Sequence, residues 1–135
     1  MIEIGVRKNI WLALLLLWAL LIFILSSQSG LASRGNPPLW FYVERKGAHV
    51  FEYFVLTLLA FRHFGAYYRG KERNIALLFA VAVALIYGMT DEIHQTFVPG
   101  REGKISDVGI DCIGIALFVC GYLVWRQYRK KISNT

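Results

Sequence analysis

Charged residues are scarce in this chain of 135 residues, of which 18% are charged and 56% hydrophobic. A soluble domain has about 25% charged and about 45–50% apolar residues. Because the excess of apolar residues lies in separate blocks, the composition disfavours a soluble domain and favours a membrane protein. The sequence also lacks an internal repeat, a low-complexity tract and a linker between two domains, so we expect one domain over residues 1–135.

Cysteine is also rare, since Cys112 and Cys120 are the only two and both lie in the last apolar block. Eight residues apart on a helix, they would stand roughly 12 Å from each other. That separation exceeds what a disulfide tolerates. We therefore expect two buried thiols and no disulfide.

Four blocks are long and apolar enough to cross a bilayer, which takes about 20 residues each. They cover about residues 10–27, 45–64, 75–97 and 106–125. The sequence therefore predicts an all-α membrane protein, a compact bundle of four transmembrane helices.

The first block has a competing interpretation as a signal peptide. Arg7 and Lys8 precede it, and Ser27-Gln28-Ser29 resembles a small-residue cleavage site. The block is long for the apolar region of a signal peptide, and Trp18 lies in its middle. We therefore favour an uncleaved first span.

The distribution of cations predicts the orientation. Of the 15 Lys and Arg residues, ten lie on the side of the termini and five on the other. The positive-inside rule then places both termini in the cytoplasm. The basic surplus would face anionic lipid headgroups and not nucleic acid. The ten are Arg7, Lys8, Arg62, Arg69, Lys71, Arg73, Arg126, Arg129, Lys130 and Lys131; the five are Arg34, Arg45, Lys46, Arg101 and Lys104.

Polar residues gather at the end of the bundle opposite the termini. Because alternate spans run antiparallel, the end of the first block, the start of the second, the end of the third and the start of the fourth meet there. Charged groups within a bilayer cost about 2.5–3.5 kcal/mol each on insertion scales and indicate function by default. The residues of this outer face are Ser27, Lys46, His49, Glu52, Tyr53, Asp91, Glu92, His94, Gln95, Arg101, Asp107 and Asp111.

Small residues continue the same helix faces toward the other end of the bundle. Ala80, Ala84 and Gly88 lead up to Asp91, and Gly114 and Gly121 follow the stripe that begins at Asp107 and Asp111. Small residues at this spacing let membrane helices approach closely. We therefore expect the polar rows to point into the bundle.

The polar residues form a pattern that runs through three of the four blocks. It reads Lys46-x-x-His49-x-x-x-Tyr53, then Asp91-Glu92-x-His94-Gln95-x-Phe97-x-Pro99-Gly100-Arg101, then Asp107-x-x-x-Asp111-x-x-Gly114. This pattern resembles the VanZ-like family of bacterial membrane proteins, over about Ser26 to Gly121. The family has Asn or Asp at the position of Asp111, which makes Asp107 the stronger candidate for an obligatory charge. The family's name comes from a protein associated with teicoplanin resistance, and the resemblance implies a multi-pass envelope protein without a settled reaction.

Whether the chain is an enzyme is left open by the sequence. The enzyme hypothesis has a histidine as general base, oriented by a carboxylate, acting on a lipid-linked or cell-wall precursor. Its candidate catalytic residues are His49, Glu52, Asp91, Glu92, His94 and Asp107. Its candidate substrate-binding residues are Ser27, Lys46, Tyr53, Gln95, Arg101 and Asp111, with Lys46 and Arg101 binding an anionic group and Ser27 also considered as a nucleophile.

Three alternatives compete with the enzyme. The same groups would serve a non-catalytic protein that binds an envelope lipid or a glycopeptide, or a polar network that only holds the helices together. A transporter is disfavoured because the polar groups do not continue into the cytoplasmic half. The pairs His49–Glu52 and Asp91–His94 have the spacing of helical metal ligands, but Lys46 and Arg101 would repel a cation. We therefore expect neither a metal nor a cofactor.

Overall fold

The computed structural model describes residues 2–28, 38–68, 72–101 and 103–133, with the side chains of residues 2–8 and 105 excepted. Within these ranges the chain forms four helices: α1 (Ile2–Ser26), α2 (Leu39–Phe64), α3 (Arg73–Gln95) and α4 (Ile105–Ser133). This confirms the all-α bundle, and each predicted span lies largely on one helix.

The helix bounds differ from the predicted spans mainly at the start of α1, which begins at Ile2 and not near residue 10, and at α2 and α4. α2 begins at Leu39, directly after Pro38, whose backbone is extended with φ −65° and ψ 156°. Proline has no N–H to give to a helix, so the residue before the first turn suits it. α4 continues past Trp125 to Ser133 and so carries the basic residues of its last turns on the helix.

Three helices in the described ranges are long and apolar enough to cross a membrane. The spanning stretches are Asn9–Ser26, Arg73–Gln95 and Ser106–Ser133. α2 is of similar length, but its first half carries charged residues such as Glu44, Arg45 and Lys46. It packs against α4, α3 and α1, and this enclosure reduces its contact with lipid. That α2 is a fourth span stays a prediction.

Only one narrow face of α1 packs against the other helices, and the rest of its surface is exposed. Leu15, Ile22 and Ser26 are buried, whereas Leu16 and Leu17 are 61% and 62% exposed. An apolar helix with so much exposed leucine is stable against lipid and not against water. α1 is therefore a lipid-facing helix at the edge of the bundle.

Small residues bring α2, α3 and α4 close together, as the sequence predicts. Ala80 and Ala84 on α3 are fully buried. A Cβ at Gly114 on α4 would collide with the Val50 carbonyl oxygen of α2. Gly121 does not belong to this interface, because it is exposed and a Cβ there would meet nothing within 4 Å. The stripe on α4 thus ends before Gly121.

The two cysteines differ from the expectation in one respect. Both are free thiols, as predicted, but Cys112 is half-buried and Cys120 is exposed. The prediction that both are buried is wrong for Cys120, because α4 is an outer helix and this position faces away from α2 and α3. A thiol there is accommodated by lipid, since Cys behaves as a small apolar residue.

Candidate functional site

The polar end of the bundle is centred on a contact between α2 and α4. The Nδ1 atom of His49 lies 3.0 Å from Oδ1 of Asp111. Asp111 is 1% exposed, and the imidazole is also half-buried. A carboxylate that accepts a hydrogen bond from Nδ1 fixes the tautomer of the ring and leaves Nε2 for another partner.

Asp91 lies where α1 meets α3. Its Oδ2 accepts hydrogen bonds of 2.8 Å each from the Ser26 hydroxyl and from the Gln95 amide. Its other oxygen, Oδ1, is buried without a hydrogen-bond partner among the described residues. Asp91 therefore holds α1 to α3 with one oxygen and leaves the second unsatisfied.

Glu92 fastens the connector between α3 and α4. The backbone N–H of Lys104 donates to its Oε2 at 2.9 Å, and the Gln95 amide lies 3.4 Å from its Oε1. A Cβ at Gly103 would collide with the Glu92 carbonyl oxygen, so a glycine is required where the connector crosses α3. Gly100 provides the turn, with φ 75°, a left-handed conformation that glycine adopts without strain.

Arg101 ties this connector to the end of α1. Its Nη2 and Nε donate to the carbonyl oxygens of Leu25 and Gln28, at 2.8 and 3.0 Å. Its Nη1 donates to Gln95 Oε1 at 3.3 Å. The last carbonyls of a helix lack partners within the helix and carry partial negative charge, so a cation stabilises them. Arg101 is therefore a cap of α1 as well as a candidate binding residue.

Ser27 and His94 form a separate pair where the ends of α1 and α3 meet. Ser27 Oγ lies 3.0 Å from His94 Nε2, and its hydroxyl donates to the Phe23 carbonyl at 2.6 Å. A hydroxyl has one proton to donate, so both contacts are satisfied when His94 carries hydrogen on Nε2 and Ser27 accepts it. In that arrangement His94 does not take the proton of Ser27, which disfavours Ser27 as a nucleophile.

Tyr53 and Glu52 lie deeper along α2. Tyr53 is fully buried and its hydroxyl has no hydrogen-bond partner among the described residues. Its ring stacks on that of His49, with centroids 6.4 Å apart and 8° between the planes. Glu52 is 8% exposed, and its backbone carbonyl accepts a hydrogen bond of 3.0 Å from the Trp18 indole.

A cavity of about 590 Å³ opens beside this network, between α2, the α3–α4 connector and α4. Of the residues predicted for the site, Lys46, His49, Arg101 and Asp107 line it. Asp111 is not a lining residue but contacts His49, which is one. Ser27 and His94 do not line the cavity. The described residues that line it are Tyr42, Arg45, Lys46, His49, Gly100, Arg101, Lys104, Ser106, Asp107 and Ile110.

Two lining cations were not among the predicted site residues. Arg45 lies next to Lys46 in the sequence, and Lys104 immediately precedes α4. Burial lowers the pKa of Arg101, and the nearby charge of Arg45 lowers it further, while Asp91, Glu52 and Glu92 act in the opposite direction. The proximity of two guanidinium groups at one cavity wall is a signal for anion binding that the linear sequence does not show.

The fold and the polar end together define a class: a helical membrane protein with a buried polar network and a cationic cavity at one end. The VanZ/LLP1 family model matches residues 11–126. The chain therefore belongs to the VanZ/LLP1 family, as the resemblance implied. It is similar to the uncharacterized membrane protein YwnJ of Bacillus subtilis (strain 168), with 32% identity over 88 residues. The match covers 65% of this chain and 55% of that relative's length. No solved structure matches the chain.

Proposed function

We propose that the cavity binds the phosphate-bearing headgroup of a lipid-linked envelope precursor at the outer face of the bacterial cell membrane. The observation that carries this proposal is the convergence of Arg45, Lys46, Arg101 and Lys104 on one cavity. Guanidinium and ammonium groups are the usual protein ligands of phosphate. Asp107 is the one carboxylate among the described lining residues, so the described part of the wall is basic.

The dimensions of the cavity agree with a headgroup ligand. A volume of about 590 Å³ lies within the range of about 300–1,000 Å³ that small-ligand sites occupy. Ile110 on α4 lines the cavity, and Ile113 and Leu117 follow it on the same helix face, 51% and 53% exposed. These residues offer an apolar path for a lipid chain that leaves the cavity along α4.

The outward orientation rests on the distribution of Lys and Arg along the sequence. Ten of the 15 lie on the side of the termini, which favours cytoplasmic termini and an outer site. Arg34, Arg69 and Lys71, which enter this comparison, lie outside the described residues. A role in teicoplanin resistance has weaker support, since it rests on the name of the family.

The binding experiment compares a polyprenyl phosphate with the polyprenol of the same chain length. The full chain is reconstituted in phosphatidylcholine nanodiscs in the presence of EDTA, and binding is measured by native mass spectrometry. We expect binding of the phosphate in preference to the alcohol, and loss of this preference in Lys46→Gln. Lys130→Gln, at the far end of α4, is the matched control and should bind as the unaltered protein does. Inorganic phosphate is added as a competitor. Displacement of the lipid by it would indicate that the headgroup alone is recognised, and no displacement would indicate recognition of the whole lipid.

Equal binding of the phosphate and the alcohol would contradict the proposal. It would favour the structural alternative, in which the contacts of Ser26, Gln95 and Arg101 only hold the helices together. Binding of teicoplanin, and not of either lipid, would favour the glycopeptide alternative. A non-catalytic binding protein is expected to release the phosphate lipid unchanged.

The contact between His49 and Asp111 favours a second candidate function, which is hydrolysis or transfer at the bound headgroup. A half-buried imidazole held by a carboxylate at 3.0 Å has the arrangement of a general base and its orienting group. In this function His49 would take a proton from a water molecule that attacks the outer phosphorus of a lipid-linked diphosphate. The bond between that phosphorus and the bridging oxygen breaks, and the lipid monophosphate leaves. His49→Gln should then abolish turnover of a lipid-linked diphosphate without abolishing its binding. Retained turnover in this variant would exclude His49 as the base.

A further inference from the structure

We propose that His49, Glu92 and Asp111 form a binding site for one divalent transition-metal cation between α2, α3 and α4. Each residue offers one ligand atom, an imidazole nitrogen or a carboxylate oxygen, and these atoms all lie within 4.8 Å of one another. Glu92 and Asp111 are buried, unlike the exposed acidic groups that often cluster without a metal. The three residues come from three helices, so the fold and not local sequence brings them together.

One carboxylate oxygen of this cluster and a neighbouring hydroxyl are buried without a hydrogen-bond partner among the described residues. Asp111 is 1% exposed, and its Oδ2 is buried with no hydrogen-bond partner in the described part of the chain. The fully buried hydroxyl of Tyr53 is also without a partner there. Both side chains lie against Gly88, where a Cβ would stand 3.1 Å from Asp111 Oδ2 and 3.5 Å from Tyr53 Cζ. Buried polar atoms are normally satisfied, and a cation beside Asp111 would satisfy its free oxygen.

The number of carboxylates buried in the interior also favours a bound cation. Glu52, Asp91, Glu92 and Asp111 are each at most 8% exposed. Arg101 reaches this region, but three of its N–H groups are already donated to Leu25, Gln28 and Gln95. Several carboxylates buried together need protons or a cation to offset their mutual repulsion. A divalent ion at His49, Glu92 and Asp111 would neutralise two of them at once.

The surroundings hold the ligands in place. The backbone N–H of Lys104 donates to Glu92 Oε2 at 2.9 Å, and hydrogen bonds to ligating carboxylates are a usual feature of metal sites. One nitrogen with two carboxylates fits Zn²⁺ or Mn²⁺ better than Ca²⁺, which prefers six or more oxygen ligands. Zn²⁺ should bind more tightly than Mn²⁺, following the general affinity order of these ions.

If a cation binds here, His49 and Asp111 lie close together because both are its ligands, and not because Asp111 orients His49 as a general base. Two ligand atoms about 2.0–2.2 Å from a tetrahedral ion stand about 3.3–3.6 Å apart. Nδ1 and Oδ1 are separated by 3.0 Å, so a shift of only a few tenths of an ångström would let both bind one ion. The site was not expected from the sequence, where the two pairs with ligand spacing each lie on a single helix. The inference does not rest on the proposed lipid ligand, because the ion can be measured with no lipid-linked phosphate present.

The test uses the tag-free full chain in phosphatidylcholine nanodiscs, stripped with EDTA and dialysed. Calorimetric titration with ZnCl₂, MnCl₂ and MgCl₂ should show that one Zn²⁺ ion binds per chain. The affinity should be highest for Zn²⁺, lower for Mn²⁺ and lowest for Mg²⁺. Asp111→Asn and Glu92→Gln keep the shape of the side chain, and each should lower the affinity for Zn²⁺ by more than about tenfold. Glu72→Gln, an exposed position just before α3 at the other end of the bundle, is the matched control and should leave the affinity unchanged. Asp107→Asn, one helical turn from Asp111 and outside the three ligands, removes only a neighbouring charge and should weaken the affinity less than Asp111→Asn does.

Thermal unfolding provides a second measurement that does not depend on the variants being folded. A cation that binds the native state should raise the Tm of the unaltered protein in proportion to the logarithm of its concentration. No stoichiometric Zn²⁺ or Mn²⁺ and no change in Tm would overturn the proposal. An equal loss of affinity in Asp107→Asn and Asp111→Asn would also overturn it, because the ion would then lie at the cavity mouth. Headgroup binding in EDTA fails or succeeds independently of either result.

Discussion

Asp111 on α4 and Tyr53 on α2 meet against Gly88 on α3. A Cβ at Gly88 would stand 3.1 Å from Asp111 Oδ2 and 3.2 Å from Tyr53 Cε1. The buried polar atoms of two helices thus share a space that exists because the third helix has no side chain there. The polar network and the packing of small residues are therefore parts of one arrangement.

We expect Gly88→Ala to destabilise the bundle by about 1–3 kcal/mol, the usual cost of overpacking. The added methyl group would displace the side chain of Asp111 or Tyr53 by a few tenths of an ångström. Both side chains are buried, so neither has free space to move into. Gly47→Ala on α2 is the control, because a Cβ there meets nothing within 4 Å and alanine favours a helix. Unfolding in mixed detergent micelles measures both variants. Equal stability of the two would contradict the close contact at Gly88.

Gly114→Ala should be more damaging than Gly88→Ala. A Cβ at Gly114 would collide with the backbone oxygen of Val50, and backbone does not move aside as a side-chain tip does. α2 and α4 would have to separate along their whole interface. Gly121→Ala, on the same helix and in open space, should be neutral or stabilising. The same unfolding measurement applies, and a neutral Gly114→Ala would show that the two helices are not in backbone contact.

The general architecture could be predicted from the sequence. The length of each apolar block predicts a helix, and helical spacing then places small residues such as Ala80 and Ala84, and the polar residues, on the faces that pack together. What could not be predicted depends on contacts between distant segments. Arg101 lies next to the end of α1 through a connector whose path is set by Gly100 and Gly103, so its capping contacts have no signal in local sequence. The assignment of Arg45 and Lys104 to the cavity was missed for the same reason, because the wall combines α2, the connector and α4.

We expect Arg101→Lys to destabilise the end of α1. An ammonium group cannot reproduce the three N–H donors that Arg101 gives to Leu25, Gln28 and Gln95. Hydrogen bonds to a charged donor contribute about 1.5–3 kcal/mol each at most, so a loss of about 1–3 kcal/mol is expected. Hydrogen exchange should rise at the last turn of α1. Arg45→Lys, which keeps the charge of the same cavity without capping α1, should leave that exchange unchanged.

The outward orientation of the site can be tested by labelling. In a chain with Cys112→Ala and Cys120→Ala, Ser106→Cys places a thiol on the cavity wall and Ser133→Cys places one at the end of α4; both positions are exposed. A membrane-impermeant maleimide should label position 106 in intact cells and position 133 only after lysis. The reverse pattern would place the cavity in the cytoplasm. It would contradict the orientation without affecting the fold.

Ser27→Ala tests whether the pair of Ser27 and His94 has a chemical role. The Ser27 hydroxyl donates to Phe23 at 2.6 Å, so its interaction with His94 at 3.0 Å requires the histidine to be the donor. A serine in that state is not activated, and neither residue lines the cavity. Ser27→Ala should therefore cost no more than about 1 kcal/mol of stability. It should leave the binding of the polyprenyl phosphate and any turnover of the lipid-linked diphosphate unchanged. His49→Gln, studied beside it, should impair that turnover if His49 is the base or a ligand of a required ion. Loss of turnover in Ser27→Ala with normal lipid binding would instead make Ser27 a nucleophile, and would move the reacting centre from the cavity to the ends of α1 and α3.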